Sequence, residues 1–123
     1  MKTLIVSLSI LLVASIGANA QDGFYSEREQ AALEKAEHVQ KKLLEGADFA
    51  ELAKQYSDDP GSAVQGGELG FMGRGQLVPQ YEKAALALAK GEISKPVKTE
   101  FGYHIIQLLE IEEGRFNTRH ILI

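Results

Sequence analysis

Between Gly61 and Gly75 the chain carries six glycines in fifteen residues, at positions 61, 66, 67, 70, 73 and 75. Glycine reaches backbone conformations closed to other residues and weakens helix and strand interiors, so no regular helix can run through this segment. Yet Leu69-Gly70-Phe71-Met72 at its centre is too apolar for a flexible linker. The segment must therefore be a set of tight turns around a short strand near Glu68–Phe71, with the flanking elements packed against it.

Before the glycines, Ser26-x-x-Glu29 reads as a capping box, and Ala32, Leu33, Ala36, Val39, Leu43 and Leu44 recur at helical spacing. Gly46 is placed to end that helix in a left-handed cap. Asp48 can cap a second, shorter helix carrying Phe49, Leu52, Ala53 and Tyr56, which Asp58-Asp59-Pro60-Gly61-Ser62 breaks into a loop. After the glycines, Pro79 suits the first turn of a third helix that uses Tyr81, Ala84, Ala85 and Leu88 and stops at Lys90-Gly91. Ile93 to Thr99 reads as extended, with Pro96 fitting an edge strand. Phe101-Gly102 is a turn, Tyr103 to Ile111 a strand buried around Ile105-Ile106, Glu112 to Arg115 a polar turn, and His120 to Ile123 a last strand-like run. Strands with helices packed on one side predict an α+β domain, and no internal repeat is visible.

The N-terminus has the pattern of a cleaved export signal. Lys2 supplies a positive start, Leu4 to Ile16 is an apolar run broken only by serines, and Ala18-Asn19-Ala20 matches a small-x-small cleavage site. The run is short for a membrane span, which takes about 20 residues. Cleavage after Ala20 leaves 103 residues with 12 basic and 17 acidic side chains, and no stable membrane anchor. The acidic balance argues against a nucleic-acid partner. The chain has no cysteine, which excludes disulfides, thiolate nucleophiles and zinc–thiolate clusters, and its three histidines, His38, His104 and His120, are too scattered for a dense metal cage. No metal or cofactor is expected.

Four ordered motifs carry a resemblance. They are Asp48-Phe-Ala-Glu-Leu-Ala-Lys-Gln-Tyr-Ser-Asp-Asp-Pro-Gly-Ser62, Gly66-Gly-Glu-Leu-Gly-Phe-Met-Gly-Arg-Gly-Gln-Leu77, Gly91-Glu-Ile-Ser-Lys-Pro-Val97 and Phe101-Gly-Tyr-His-Ile-Ile106. With the helix before them they cover about residues 30–111 and resemble parvulin-type (PpiC-type, rotamase) peptidyl-prolyl cis-trans isomerase domains. The resemblance implies an FKBP-like superfold, a four-stranded antiparallel sheet with helices around it. It also implies isomerisation of Xaa-Pro bonds in unfolded or partly folded clients, in the manner of periplasmic folding factors. The expected organisation is a signal peptide at 1–20, the isomerase domain at 21–111, and a loop and strand at 112–123.

One element is displaced. In the family a strand of the type Arg-His-Ile-Leu-Ile precedes the first helix; here the matching string, Arg119-His-Ile-Leu-Ile123, stands at the other end. The chain then reads as a fragment in which a second tandem domain is just beginning, as a circular permutant whose last strand folds back, or as a form whose last strand swaps into another copy. In each case the terminal run is expected beside the strand at His104–Leu109.

The resemblance also implies a site. The apolar cup for a proline ring falls to Leu69, Leu77 and Tyr81, with Met72 and Phe101 beside them, and ordinary core packing is the alternative. The polar candidates are Asp59, His104 and His120, with Asp59 standing where some family members carry a cysteine and others an aspartate. The two histidines either act on the substrate amide or lock neighbouring strands. Ser57 and Asp58 read as local caps, Arg74 as structural and His38 as solvated. No Lys/Arg cluster lies near Ser62–Gly67, so no phosphate preference is expected. The competing function is a non-catalytic, peptide-binding chaperone module.

Overall fold

The structure, a computed structural model, describes residues 26–123; the expected export signal lies outside them. Residues 32–123 form one compact unit, and of the unit before it, 1–31, only the opening of the first helix is described. Among the described residues the elements are α1 (Glu27–Leu44), α2 (Phe49–Tyr56), α3 (Pro60–Ala63), β1 (Glu68–Met72), α4 (Pro79–Leu86), β2 (Val97–Thr99), β3 (Gly102–Glu112) and β4 (Arg115–Leu122). No helix among them is long and apolar enough to cross a membrane.

The helix signals read from the sequence operate as expected. The Glu29 N–H donates to Ser26 Oγ at 3.1 Å, and α1 ends where Gly46 takes a φ of +105° and the Ala47 N–H reaches back to Lys42 O. Asp48 caps α2 by accepting from the Glu51 N–H at 2.9 Å. Two readings are corrected. The segment at Asp58–Ser62 is not all loop, because Pro60 occupies the first helical position of the four-residue α3. The helix begun by Pro79 is thus the fourth, and it stops at Leu86 rather than at Lys90.

The strands form one antiparallel sheet in the order β1-β4-β3-β2. The C-terminal strand is therefore central, as expected, though longer: the turn shrinks to Glu113 and Gly114, both at positive φ, and Glu112 pairs with Arg115. Two consecutive positive-φ residues twist a hairpin in the sense its strands require, and Phe116, Asn117 and Thr118 become paired strand instead of loop. β2 is short and lies at the sheet edge, yet the chain before it also follows β3, through an Ile93–Gln107 bridge and a Ser94 N–H bond to Ile106 O. Where β1 begins, Gly67 passes so close to β4 that a Cβ there would lie 2.5 Å from the His120 carbonyl oxygen, at a φ of +91°. Only glycine fits that approach.

Side chains alternate across the sheet, so β3 and β4 feed two cores, and helices cover both faces rather than the one side expected from the sequence. Tyr103, Ile105 and Ile121 face α1 and α2, joining Ala36, Val39, Leu43, Phe49, Leu52 and Ala53. Ile106, Leu108 and Phe116 face α4 and pack with Tyr81 and Ala85. The histidines His104 and His120 share the parity of this second set.

Candidate functional site

A hollow of ≈ 390 Å³ opens at the end of the second core, lined by Asp59, Leu69, Gln76, Leu77, Val78, Tyr81, Phe101, His104, His120 and Leu122. Its apolar wall is built from three elements. Leu69 comes from β1, Leu77 from the turn after it and Tyr81 from the first turn of α4, four residues along from Leu77. Phe101, 62 % exposed, stands at the rim. Met72 does not line the hollow. It sits three residues beyond Leu69, roughly 10 Å along a strand, opposite Phe116, where it packs on the second core.

The polar wall is a continuous chain of hydrogen bonds. His104 and Leu122 are register partners, as are Ile106 and His120, so the two rings lie on adjacent strands of one face. They stack with centroids 5.2 Å apart and an interplanar angle of 17°, and their Nδ1 atoms are 3.0 Å apart. His120 Nε2 meets Asp59 Oδ2 at 2.8 Å, and Asp59 Oδ2 also accepts from Ser62 Oγ at 2.7 Å. At the other end His104 Nε2 lies 2.7 Å from Thr99 Oγ1, which accepts from the Phe101 N–H. Tyr81 presents its ring near edge-on to both imidazoles, and its hydroxyl bonds Thr118 Oγ1 at 2.8 Å. That buried bond supplies the partner a tyrosine requires at this position.

Proton placement follows from the acidic end. Burial works to raise the Asp59 carboxyl, but hydrogen bonds from Ser62 and His120 outweigh it and hold the group below its usual value, ionised near neutrality. Burial keeps His120 below the ordinary imidazole range even against the pull of Asp59, and burial with His120 alongside takes His104 down to about 4. Both rings are thus neutral at pH 7. A carboxylate only accepts, so His120 carries its proton on Nε2 and offers a bare Nδ1. His104 then donates from Nδ1, and its Nε2 accepts from the Thr99 hydroxyl. All four ring nitrogens of the histidine pair have a hydrogen-bond partner, with one net charge, on Asp59. Burial also raises the Tyr81 phenol, so it stays protonated.

Seven of the eight candidate side chains read from the sequence thus meet at one hollow. Thr99, Thr118 and Ser62, which fix the polar wall, were not legible as site residues; lone hydroxyls on strands and turns carry no spacing signal. Leu122 was within reach, because it follows His120 by two and shares its face. Ser57 is more than a local cap: its Oγ accepts from the Leu122 N–H on β4. Among the described residues no group of three or more His, Cys, Asp or Glu side chains is placed to hold a metal ion.

Comparison with known proteins places the chain in a family. Residues 16–110 match the PPIC-type PPIase (rotamase) domain. The chain is 55% identical over 80 residues to the foldase protein PrsA of a Geobacillus species, covering 65% of this chain and 29% of the relative. It is 44% identical over 89 residues to the chaperone SurA of Nitrosococcus oceani, covering 72% of this chain and 20% of that one. It spans less than a third of the length of these relatives. Among solved structures, the peptidylprolyl isomerase PrsA of Bacillus anthracis matches with a TM-score of 0.65 at 44% identity, over 66% of this chain and 37% of the other. NmPin, the parvulin of Nitrosopumilus maritimus, matches with a TM-score of 0.52 at 36% identity, over 70% of this chain and 80% of its own. With the family match extending over most of its length, the chain belongs to the PPIC-type, or parvulin, family of peptidyl-prolyl cis-trans isomerases.

Proposed function

We propose that the hollow binds the proline of an Xaa-Pro segment and accelerates rotation about the preceding peptide bond in unfolded or partly folded polypeptides. Resonance in the planar amide sets a barrier of about 18–20 kcal/mol. Catalysis needs only that the twisted amide be held better than either planar isomer. Leu69, Leu77 and Tyr81 form a wall suited to a pyrrolidine ring, and they remove water from the adjoining carbonyl. Loss of that water disfavours the charge-separated planar form. Asp59, the one net charge on the polar wall, acts on the carbonyl as its partial charge falls during rotation. The neutral histidine pair holds Asp59 and the strands in place and takes no proton from the substrate. No covalent step is involved.

The observation that carries this reading is the meeting of an apolar cup with a continuous hydrogen-bonded polar wall at a single hollow. The names foldase and chaperone borne by PrsA and SurA support unfolded polypeptides as clients. The apolar run at Leu4–Ile16 followed by Ala18-Asn19-Ala20 supports clients outside the cytoplasm, in the periplasm or beyond. An isomerisation assay on a proline tetrapeptide with the whole chain tests the activity. The relaxation rate is expected to rise in proportion to protein concentration. Peptide binding with no acceleration would instead assign the hollow to a non-catalytic chaperone module.

A further inference from the structure

Strand β4 loses its β1 neighbour just where the site begins. The His120 N–H still donates to Gly67 O at 2.9 Å, but beyond that point the chain before β1 turns away through Gln65 and Gly66. The next outward-facing groups of β4 belong to Leu122, and the segment after α2 receives them. The Asp58 N–H donates to Leu122 O at 2.6 Å, and Leu122 N–H donates to Ser57 Oγ at 3.0 Å. The same Oγ accepts from the Asp59 N–H at 3.3 Å. Ending α2 does not need this side chain, because the Ser57 backbone N–H already donates to Ala53 O at 3.0 Å.

We propose that Ser57 is a positioning residue, whose hydroxyl oxygen sets the separation of Asp59 and His120. The two chain segments close a ring. Asp59 lies two residues after Ser57, His120 lies two before Leu122, and the ring is shut at one end by the Ser57–Leu122 bond and at the other by the Asp59–His120 bond. Ser57 touches neither the hollow nor a substrate placed in it. It governs the polar wall by fixing the backbone of both partners, and so selects which oxygen–nitrogen distance the acid and the imidazole adopt. Alanine at this position strands two N–H donors and frees the Asp59 loop to move away from β4.

This inference rests on the isomerase reading for its kinetic consequence but not for its structural one, and the experiment separates the two. The whole chain is prepared as wild type, Ser57→Ala and Ser57→Thr. Nitrogen-15 NMR reads the His120 tautomer and the carboxylate-bound Nε2 proton, thermal melting reads the fold, and kcat and KM are measured on a proline peptide. In Ser57→Ala the Nε2 proton signal should weaken or exchange with water. In the same variant kcat should fall about tenfold, as for one lost hydrogen bond, while KM stays nearly constant. Ser57→Thr keeps the oxygen and should restore both. If Ser57→Ala melts below the assay temperature, Ser57→Cys, similar in size and a weak acceptor, is read the same way. A folded Ser57→Ala or Ser57→Cys with an unchanged His120 signal would overturn the proposal, as would a kcat that falls only with the folded fraction. Absence of isomerase activity in wild type would end the functional reading alone, since the NMR comparison would still decide the role of Ser57.

Discussion

The two sides of the sheet are built from the same two strands and do different work. Toward α1 and α2, β3 and β4 present Tyr103, Ile105 and Ile121 to a closed apolar core. Toward α4 they present Ile106, Leu108 and Phe116 in the middle, but His104 and His120 at one end, where the core opens into the hollow. The first side spends its buried area on stability. The second gives up some burial to keep polar atoms dry, paired and next to an apolar cup. The lesson is that one alternating pattern can encode a scaffold and a site together. Moving one residue along either strand moves a side chain from one role to the other.

The largest expected effect abolishes both sides at once. Deleting residues 119–123 removes His120, Ile121 and Leu122 from the central strand and leaves β3 with an exposed edge from His104 to Gln107. The deletion variant should show no cooperative thermal unfolding by circular dichroism; retained cooperative melting would refute the central placement of β4.

The next separates the sides. Ile105 is fully buried, and Ile105→Ala should cost about 3 kcal/mol in denaturant unfolding while leaving turnover per folded molecule unchanged. A specific loss of turnover would show that the closed core is not a mere scaffold.

Acid should act on the site side. Both histidines sit below the usual 6.5 in the folded protein, His104 at about 4. A group with a lowered folded value favours folding while it is neutral. Its contribution is complete above about pH 6.5 and is lost as pH falls toward 4. The melting midpoint should therefore fall between these values, and a His104→Asn variant should show a flatter decline. An equally steep decline in that variant would remove His104 as the cause.

Smaller effects probe the cup. Tyr81→Phe breaks the bond to Thr118 and should cost about 1 kcal/mol in the same unfolding measurement. Leu77 is only half-buried, so Leu77→Ala should cost less than about 1.5 kcal/mol yet raise KM for a proline peptide several-fold. An unchanged KM would place the proline elsewhere.

Much of this arrangement is legible in the chain. The Ser26 and Asp48 caps, the turn at Gly46 and the strand inside the glycines follow from local chemistry, and the structure reproduces them within a residue or two. What the chain does not reveal is long-range or marginal. The four-residue α3 hides because a single turn has no periodicity. The early end of α4 hides because Ala87 and Leu88 continue the pattern in turns rather than helix. Thr99, Thr118 and Ser57 hide because their roles depend on partners brought near by the sheet. Met72, which the resemblance implies beside the cup, packs on the second core because its place along β1 sets it opposite Phe116.

Exchange spectroscopy on a peptide with a single Xaa-Pro bond, mixed with the isotope-labelled chain, tests the central claim most directly. The account predicts cis–trans exchange cross-peaks that appear only with the protein present, together with shifts confined to the lining of the hollow, Asp59, Leu69, Leu77, Tyr81 and the two site histidines among it. Shifts centred on another surface, or binding at this hollow with no exchange, would contradict it.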